Sequence, residues 1–185
     1  MKREKTRRVS KAEWLQTALD SLEEEGVDGI RVERIARRLG ISKSGFYWHF
    51  KDRDDLRRQI IEYWAHEYTE VVTINPQFAV GTPEERLERI MMMIIEHDLT
   101  RYDLEMKTWG KTDPEIARRV RQVFRLRLKF SRDIFREMGF TGDELEVRTR
   151  MFIGYHSWER VTFDSESKKA LKKFIPAKLA LLTRR

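Results

Sequence analysis

The chain has 185 residues, 40% of them hydrophobic and 37% charged, with a formal net charge of +7. That length and balance describe a soluble globular protein with one good core or two small ones, and they exclude a disordered chain. There is no cysteine, which removes disulfides, thiol chemistry and cysteine-ligated zinc; the positive charge points weakly to phosphate-bearing partners.

The opening MKREKTRRVSK is basic but leads into no apolar run, so it is not a secretory signal. No apolar stretch approaches the roughly 20 residues that span a bilayer. A cytoplasmic protein is expected. Leu15, Ala18, Leu19 and Leu22 follow the i, i+3, i+4, i+7 spacing of an amphipathic helix that Gly26 stops. Val32, Ile35, Ala36 and Leu39 repeat it, and Gly40 stops that helix. Ser42 suits the N-cap of a third short helix whose core residue is Phe46. Val32 to His49 thus has the pattern of a helix-turn-helix. A fourth helix, carrying Leu56, Ile60, Tyr63 and Trp64, reaches about Val72 before INPQFAVGTP interrupts it.

The remainder also reads as helix. Thr82-Pro83-Glu84-Glu85 is a capping box opening a fifth, Arg101 to Gly110 holds a short sixth, and Asp113-Pro114-Glu115 opens a long seventh ending near Gly139. Thr141-Gly142-Asp143-Glu144 is a second capping box, before an eighth helix. A ninth starts near Ser165, with Pro176 kinking or breaking it. The expectation is all-α with about nine helices: a helix-turn-helix domain over 1–55 and a helical domain over 56–185.

On a helical wheel Lys43, Ser44, Tyr47 and Trp48 form one arc, with Gly45 removing bulk beside it. A helix entering the major groove needs small residues at close approach and donors for base edges and phosphates. Tyr47 and His49 can donate to phosphate, and Lys51 and Arg53 follow as cations. Lys2, Arg3, Lys5, Arg7, Arg8 and Lys11, against Glu4 alone, make a basic arm fit to follow the DNA backbone. Aromatic clusters at helical spacing are usually core, and that reading holds for Phe46 and Phe50. For Tyr47 and Trp48 core and contact are evenly matched by residue type, and the order cap, basic, small, aromatic, basic favours DNA.

Gly26 to Leu56, GVDGIRVERIARRLGISKSGFYWHFKDRDDL, resembles the DNA-binding segment of the TetR family of transcriptional regulators. The match to IA..LG.S...FY.HF..K..L covers about fifty residues; the rest resembles the family only in layout. The resemblance implies a ligand-responsive regulator, a repressor that binds a palindromic operator as a homodimer and is released by a small hydrophobic molecule. It places Ser42, Lys43, Ser44, Gly45 and Trp48 on the DNA-facing helix, with Lys43, Ser44 and Gly45 at the bases. Tyr47, His49, Lys51 and Arg53 would bind phosphates, and Arg31 and Glu33 would touch the backbone. Arg31 stands where the family commonly has Thr or Ser, exchanging a hydroxyl cap for a cation. Helices five to eight would form a ligand box and the last two would pair subunits.

For the box, Met91, Met92, Met93, Trp109, Phe124, Phe152 and Tyr155 are apolar and adaptable, and His97 could supply a polar contact, as could His156. Plain core packing accounts for the same residues. For pairing, the candidates are Phe152, Tyr155, His156, Glu159, Leu171, Phe174 and Ile175. Arg118, Arg119, Arg121, Arg125, Arg127, Lys129, Arg132 and Arg136 make the seventh helix basic, read as a solvated face. Glu62 and His66 share a helical spacing that metals use, but two groups make no metal site. Without a Gly-rich phosphate loop, an HExxH or a nucleophile elbow, neither an enzyme nor a cofactor is expected. The rival reading is a DNA-binding protein without a ligand, governed by a protein partner or acting structurally.

Overall fold

The computed structural model describes residues 9–163 and 166–184. Every regular element among them is helical, as the periodicity predicts. The α-helices are α1 (Lys11–Glu25), α2 (Val32–Arg38), α3 (Arg53–Ala65), α4 (Val71–Thr73), α5 (Pro83–Glu96), α6 (Asp103–Trp109), α7 (Pro114–Glu137), α8 (Gly142–Thr162), α9 (Lys168–Lys173) and α10 (Ile175–Thr183). A π-helical turn, His66–Glu70, joins α3 to α4 in one continuous run. The chain forms two compact units. One holds the residues up to Trp64 with Glu105–Arg118; the other holds Ala65–Leu104 and the chain from Arg119 onward.

In the first unit α1 is opened by a capping box. Ser10 Oγ accepts from the Glu13 amide at 3.2 Å, and the Ser10 amide donates to Glu13 Oε2 at 2.8 Å. Such caps contribute about 1 kcal/mol. Gly26 ends α1 at a positive φ of 68°, which a side chain resists, and Gly40 follows α2 at 69°. Arg38 closes α2 onto α1 through a forked pair with Glu24 at 2.7 and 2.8 Å. The third element, Lys43–Trp48, is a 3-10 helix and not the α-helix expected. Its i→i+3 bonds from Gly45 to Ser42 and from His49 to Phe46 suit a six-residue segment too short for two full α turns. Ser42 sits at its N-cap, but the hydroxyl makes no capping bond and lies 2.7 Å from Ser44 Oγ instead. The N-cap of α2 is Arg31, with no side-chain cap either.

The second unit is built on α5, α8, α10 and the greater part of α7. Thr82 and Glu85 form the expected capping box, at 3.2 and 2.9 Å. The second expected box is absent: Thr141 makes no side-chain cap, and the Glu144 carboxylate, which would supply the reciprocal bond, is engaged by Arg148 at 2.5 and 3.0 Å. Phe135 packs edge-on against Phe140 and Phe152, with centroids 6.4 and 6.2 Å away. Leu87, Met91 and Ile134 close the same core. The predicted start near Ser165 lies outside the described residues; α9 is capped by Ser167, which accepts from the Ala170 amide at 3.2 Å. The break falls at Phe174, and Pro176 sits in the first turn of α10, where no amide donor is needed.

A Cβ on Gly29, beside the C-terminal half of α1, would lie 2.3 Å from the Ser21 carbonyl oxygen. Gly29→Ala is therefore expected to cost about 1–3 kcal/mol, the size of an overpacking strain, read as a lowered urea midpoint. An unchanged midpoint would refute this account of the turn.

Candidate functional site

The segment Lys43–Trp48 divides sharply by face. Phe46 and Phe50 are 1% and 2% exposed, and they pack on the fully buried Trp14 with centroids 5.7 and 6.2 Å away. Tyr47 and Trp48, next to them in sequence, are 64% and 86% exposed. Burying Phe46 and Phe50 on one side turns the neighbouring aromatics outward. Gly45 sits beside them, and a Cβ there would only just touch Ile41 at 3.4 Å. The fold therefore does not require glycine at that position.

The cations of this face are already paired. Lys43 Nζ lies 2.6 Å from Glu33 Oε1, and the Arg53 guanidinium is 3.8 Å from Glu33 Oε2. The hydrogen bond from Lys43 holds the Glu33 carboxyl below its ordinary range, and the same bond raises Lys43. Arg31 and Lys51 are exposed. His49 has a different task from the phosphate contact expected: its Nε2–H donates to the Val9 carbonyl at 2.9 Å, tying the residue before α1 to the end of this segment. Lys11 stands 5.8 Å from the centre of the Phe50 ring, and the arm residues Lys2, Arg3, Lys5, Arg7 and Arg8 lie outside the described residues.

The second unit contains an apolar cavity. It leaves about 50 Å³ for the centres of water-sized molecules, and about 480 Å³ of empty space when its open part is counted. The π turn supplies Tyr68 and Thr69 to its wall, α5 supplies Ile90 and Ile94, α7 supplies Arg127 and Phe130, and α8 supplies Phe152, Ile153, His156 and Ser157. Single π turns inside longer helices are frequent at functional sites. Of the residues proposed for a ligand box, Phe152 and His156 line this cavity. Met91 is sealed in the core, Met92 and Met93 pack on its edge, and His97 is exposed. Trp109 is buried in the first unit, Phe124 is half-buried with the Arg127 guanidinium 5.1 Å from its ring, and Tyr155 faces outward. Sequence reasoning missed Tyr68 and Thr69 because a π turn leaves no periodic signature. It also placed Arg127 on a solvated face, whereas the guanidinium points inward to Asp103 at 2.6 Å.

The profile of bacterial regulatory proteins of the tetR family matches residues 15–60. This stretch contains Lys43–Trp48 and the helices that hold it. Residues 15–60 are similar to the DNA-binding domain of that family. The chain is 40% identical over 48 residues to the class A tetracycline repressor from transposon 1721 of Escherichia coli, a match covering 26% of this chain and 22% of the repressor. It is 29% identical over 86 residues to the transcriptional regulator AcrR of Shigella flexneri, covering 46% and 40% of the two chains. The matched segments thus span less than half of these relatives. The likeness of fold extends further: the FadR regulator of Bacillus subtilis, solved with stearoyl-CoA, superposes with a TM-score of 0.71 at 17% identity, over 95% of this chain and 98% of that one.

The pairing candidates separate in the same way. Phe152, His156, Glu159 and Ile175 are buried within the protomer, Leu171 is half-buried, and only Tyr155 and Phe174 are exposed. Burial alone would raise the Glu159 carboxyl; hydrogen bonds from His156 and Lys178 more than reverse it, to about 2. Burial and the same carboxylate push the Tyr155 hydroxyl up to about 12. The face that α8 leaves open carries Val147, Met151, Tyr155 and Trp158, at i, i+4, i+8 and i+11. Of the α8 residues expected to pair subunits, Tyr155 lies on this stripe, whereas Phe152, His156 and Glu159 turn inward. On the basic α7, Lys129 and Arg136 pair with Asp133 and Arg132 pairs with Glu146, each at 2.6 Å. No helix among the described residues is long and apolar enough to cross a membrane.

Glu33→Gln removes the carboxylate that pairs with Lys43 and Arg53 without disturbing the buried aromatics. Affinity for random duplex is expected to rise about threefold to tenfold, with a steeper salt dependence, because freed cations neutralise more phosphates. Fluorescence anisotropy at several salt concentrations decides it; an unchanged slope would mean that Glu33 does not restrain these cations.

Proposed function

We propose that this chain is a ligand-responsive transcriptional regulator. It is a repressor that binds a palindromic operator as a homodimer and is released when a small hydrophobic molecule enters the second unit. The observation that carries the reading is the outward pair Tyr47 and Trp48, held beside Lys43 and Ser44 by inward Phe46 and Phe50. Lys43 and Ser44 read base edges across the bulk-free position of Gly45. Tyr47, Lys51 and Arg53 fix the register on phosphates, and Arg31 adds a cation at the uncapped start of α2. We assign DNA recognition to residues 1–55, and ligand binding and dimerisation to 56–185.

Dimerisation is supported by the open apolar stripe of α8, since contiguous exposed apolar surface of this kind marks association sites. A second copy related by a two-fold axis would cover the same stripe and present two DNA-facing segments to half-sites about one helical turn apart. The cavity supports a small apolar ligand: Val72, Ile90, Ile94, Phe130, Phe152 and Ile153 form most of the apolar part of its wall, and FadR, a protein of this fold, was solved with stearoyl-CoA. Release of DNA requires only that the ligand bind one conformation better than the other.

Selection of duplexes from a random pool, with Tyr47→Ala beside the native chain, tests the DNA arm. The expected outcome is an enriched palindrome with the native chain alone; no enrichment in either would overturn the reading. Sedimentation of Trp158→Glu tests the dimer. A charge placed within the stripe should lower the association constant about a hundredfold, the scale of losing a buried aromatic anchor, while the helical circular dichroism stays intact.

A further inference from the structure

The 3-10 geometry of Lys43–Trp48 decides which side chain leads this segment, an inference that rests on the reading of it as the DNA-contacting element. With three residues per turn, side chains three apart eclipse one another. The segment and His49 therefore fall into three columns, where an α-helix would give a single arc. The first column is Lys43, Phe46 and His49, and it is the engaged one. Phe46 is sealed against Trp14, Lys43 Nζ lies on Glu33 at 2.6 Å, and His49 Nε2–H donates to the Val9 carbonyl at 2.9 Å. The second is Ser44 and Tyr47. The Ser44 hydroxyl lies 2.7 Å from that of Ser42, and the Tyr47 ring stands edge-on to Phe46 with centroids 5.2 Å apart. The third is Gly45 and Trp48. Trp48 is the most exposed large hydrophobic side chain among the described residues, and no aromatic ring or cation of theirs packs on its indole. Gly45, one turn earlier in that column, has no side chain to cover the indole, and a Cβ there would meet only Ile41. The column is open along its length.

An indole has a broad apolar face and a single N–H donor, and it accepts no hydrogen bond. The major groove presents donors and acceptors on every base pair but one kind of apolar group, the C5 methyl of thymine. Cations and hydroxyls match the polar edges. A bare indole in the leading column has the methyl as its only apolar complement among the base edges, whereas a phosphate would take the N–H alone and leave the ring in water. We propose that Trp48 determines sequence by packing its ring on a thymine methyl, across the gap at Gly45. Each half-site of the operator then carries an A·T pair at a fixed position, and the methyl itself is what is read there.

The test uses the full native chain and the duplex it enriches from a random pool. Each thymine of the half-site is exchanged in turn for uracil, which pairs identically and lacks only the methyl, and affinity is read by fluorescence anisotropy. One position is expected to be sensitive, with affinity falling about fourfold for each methyl removed, the effect of burying one methyl-sized group. Trp48→Ala, a surface change that leaves Trp14, Phe46 and Phe50 in place, should bind the thymine and uracil duplexes equally, and selection with it should still enrich the other positions of the palindrome. A loss of backbone contact or of folding would instead weaken both duplexes alike and leave their ratio unchanged. Equal affinity of the native chain for thymine and uracil at every position overturns the proposal, and so does a uracil penalty that persists in Trp48→Ala. An enriched palindrome with no required methyl leaves the regulator reading standing. No enriched duplex at all removes that reading and this assignment together, so the two failures separate.

Discussion

The position of every DNA-facing side chain depends on three buried rings. A six-residue 3-10 helix has no stability of its own, because so short a segment gains few hydrogen bonds for the dihedrals it fixes. What orients Lys43–Trp48 is the packing of Phe46 and Phe50 on Trp14. Aromatic residues bury more area than other side chains and favour edge-on geometry, so the three rings fix the rotation of the segment about its axis. The bond from His49 to the Val9 carbonyl secures the far end. Once that rotation is set, Tyr47 and Trp48 have nowhere to go but outward.

Both units keep their charges internally compensated. On the DNA face the compensation is exposed: Glu33, Lys43 and Arg53 are open to water, so their pairing is weak and readily exchanged for phosphate. Around the cavity it is buried: Arg127 and Asp103 are shielded, so breaking that pair costs far more. The first arrangement suits a surface that trades partners, the second a wall that keeps its shape.

Much of the fold was legible because its signals are local. Apolar spacing, stop glycines and the Thr82–Glu85 box each announce a helix or its end within a few residues. The failures are where another side chain takes the group that the signal relies on. Thr141 and Glu144 have the right letters for a capping box, but Arg148 takes the carboxylate. Ser42 has the right position for a cap, but its hydroxyl pairs with that of Ser44. Of the site, the division between Phe46 and Tyr47 was written into the spacing. The inward turn of Arg127 was not, because it depends on Asp103, twenty-four residues away, and on a π turn that no periodicity records.

Of the five tryptophans, Trp14, Trp64 and Trp109 are sealed in cores, while Trp48 and Trp158 are at least half exposed. The sealed three emit from a dry, fixed environment. The exposed two emit from water, within reach of dissolved quenchers, and each stands on one of the two surfaces assigned to a partner. The molecule thus carries its own optical labels: if the two surfaces act as proposed, DNA would alter the emission of Trp48 and pairing of subunits that of Trp158, and the red-shifted, quenchable fraction of the fluorescence would report occupancy of both without any added dye.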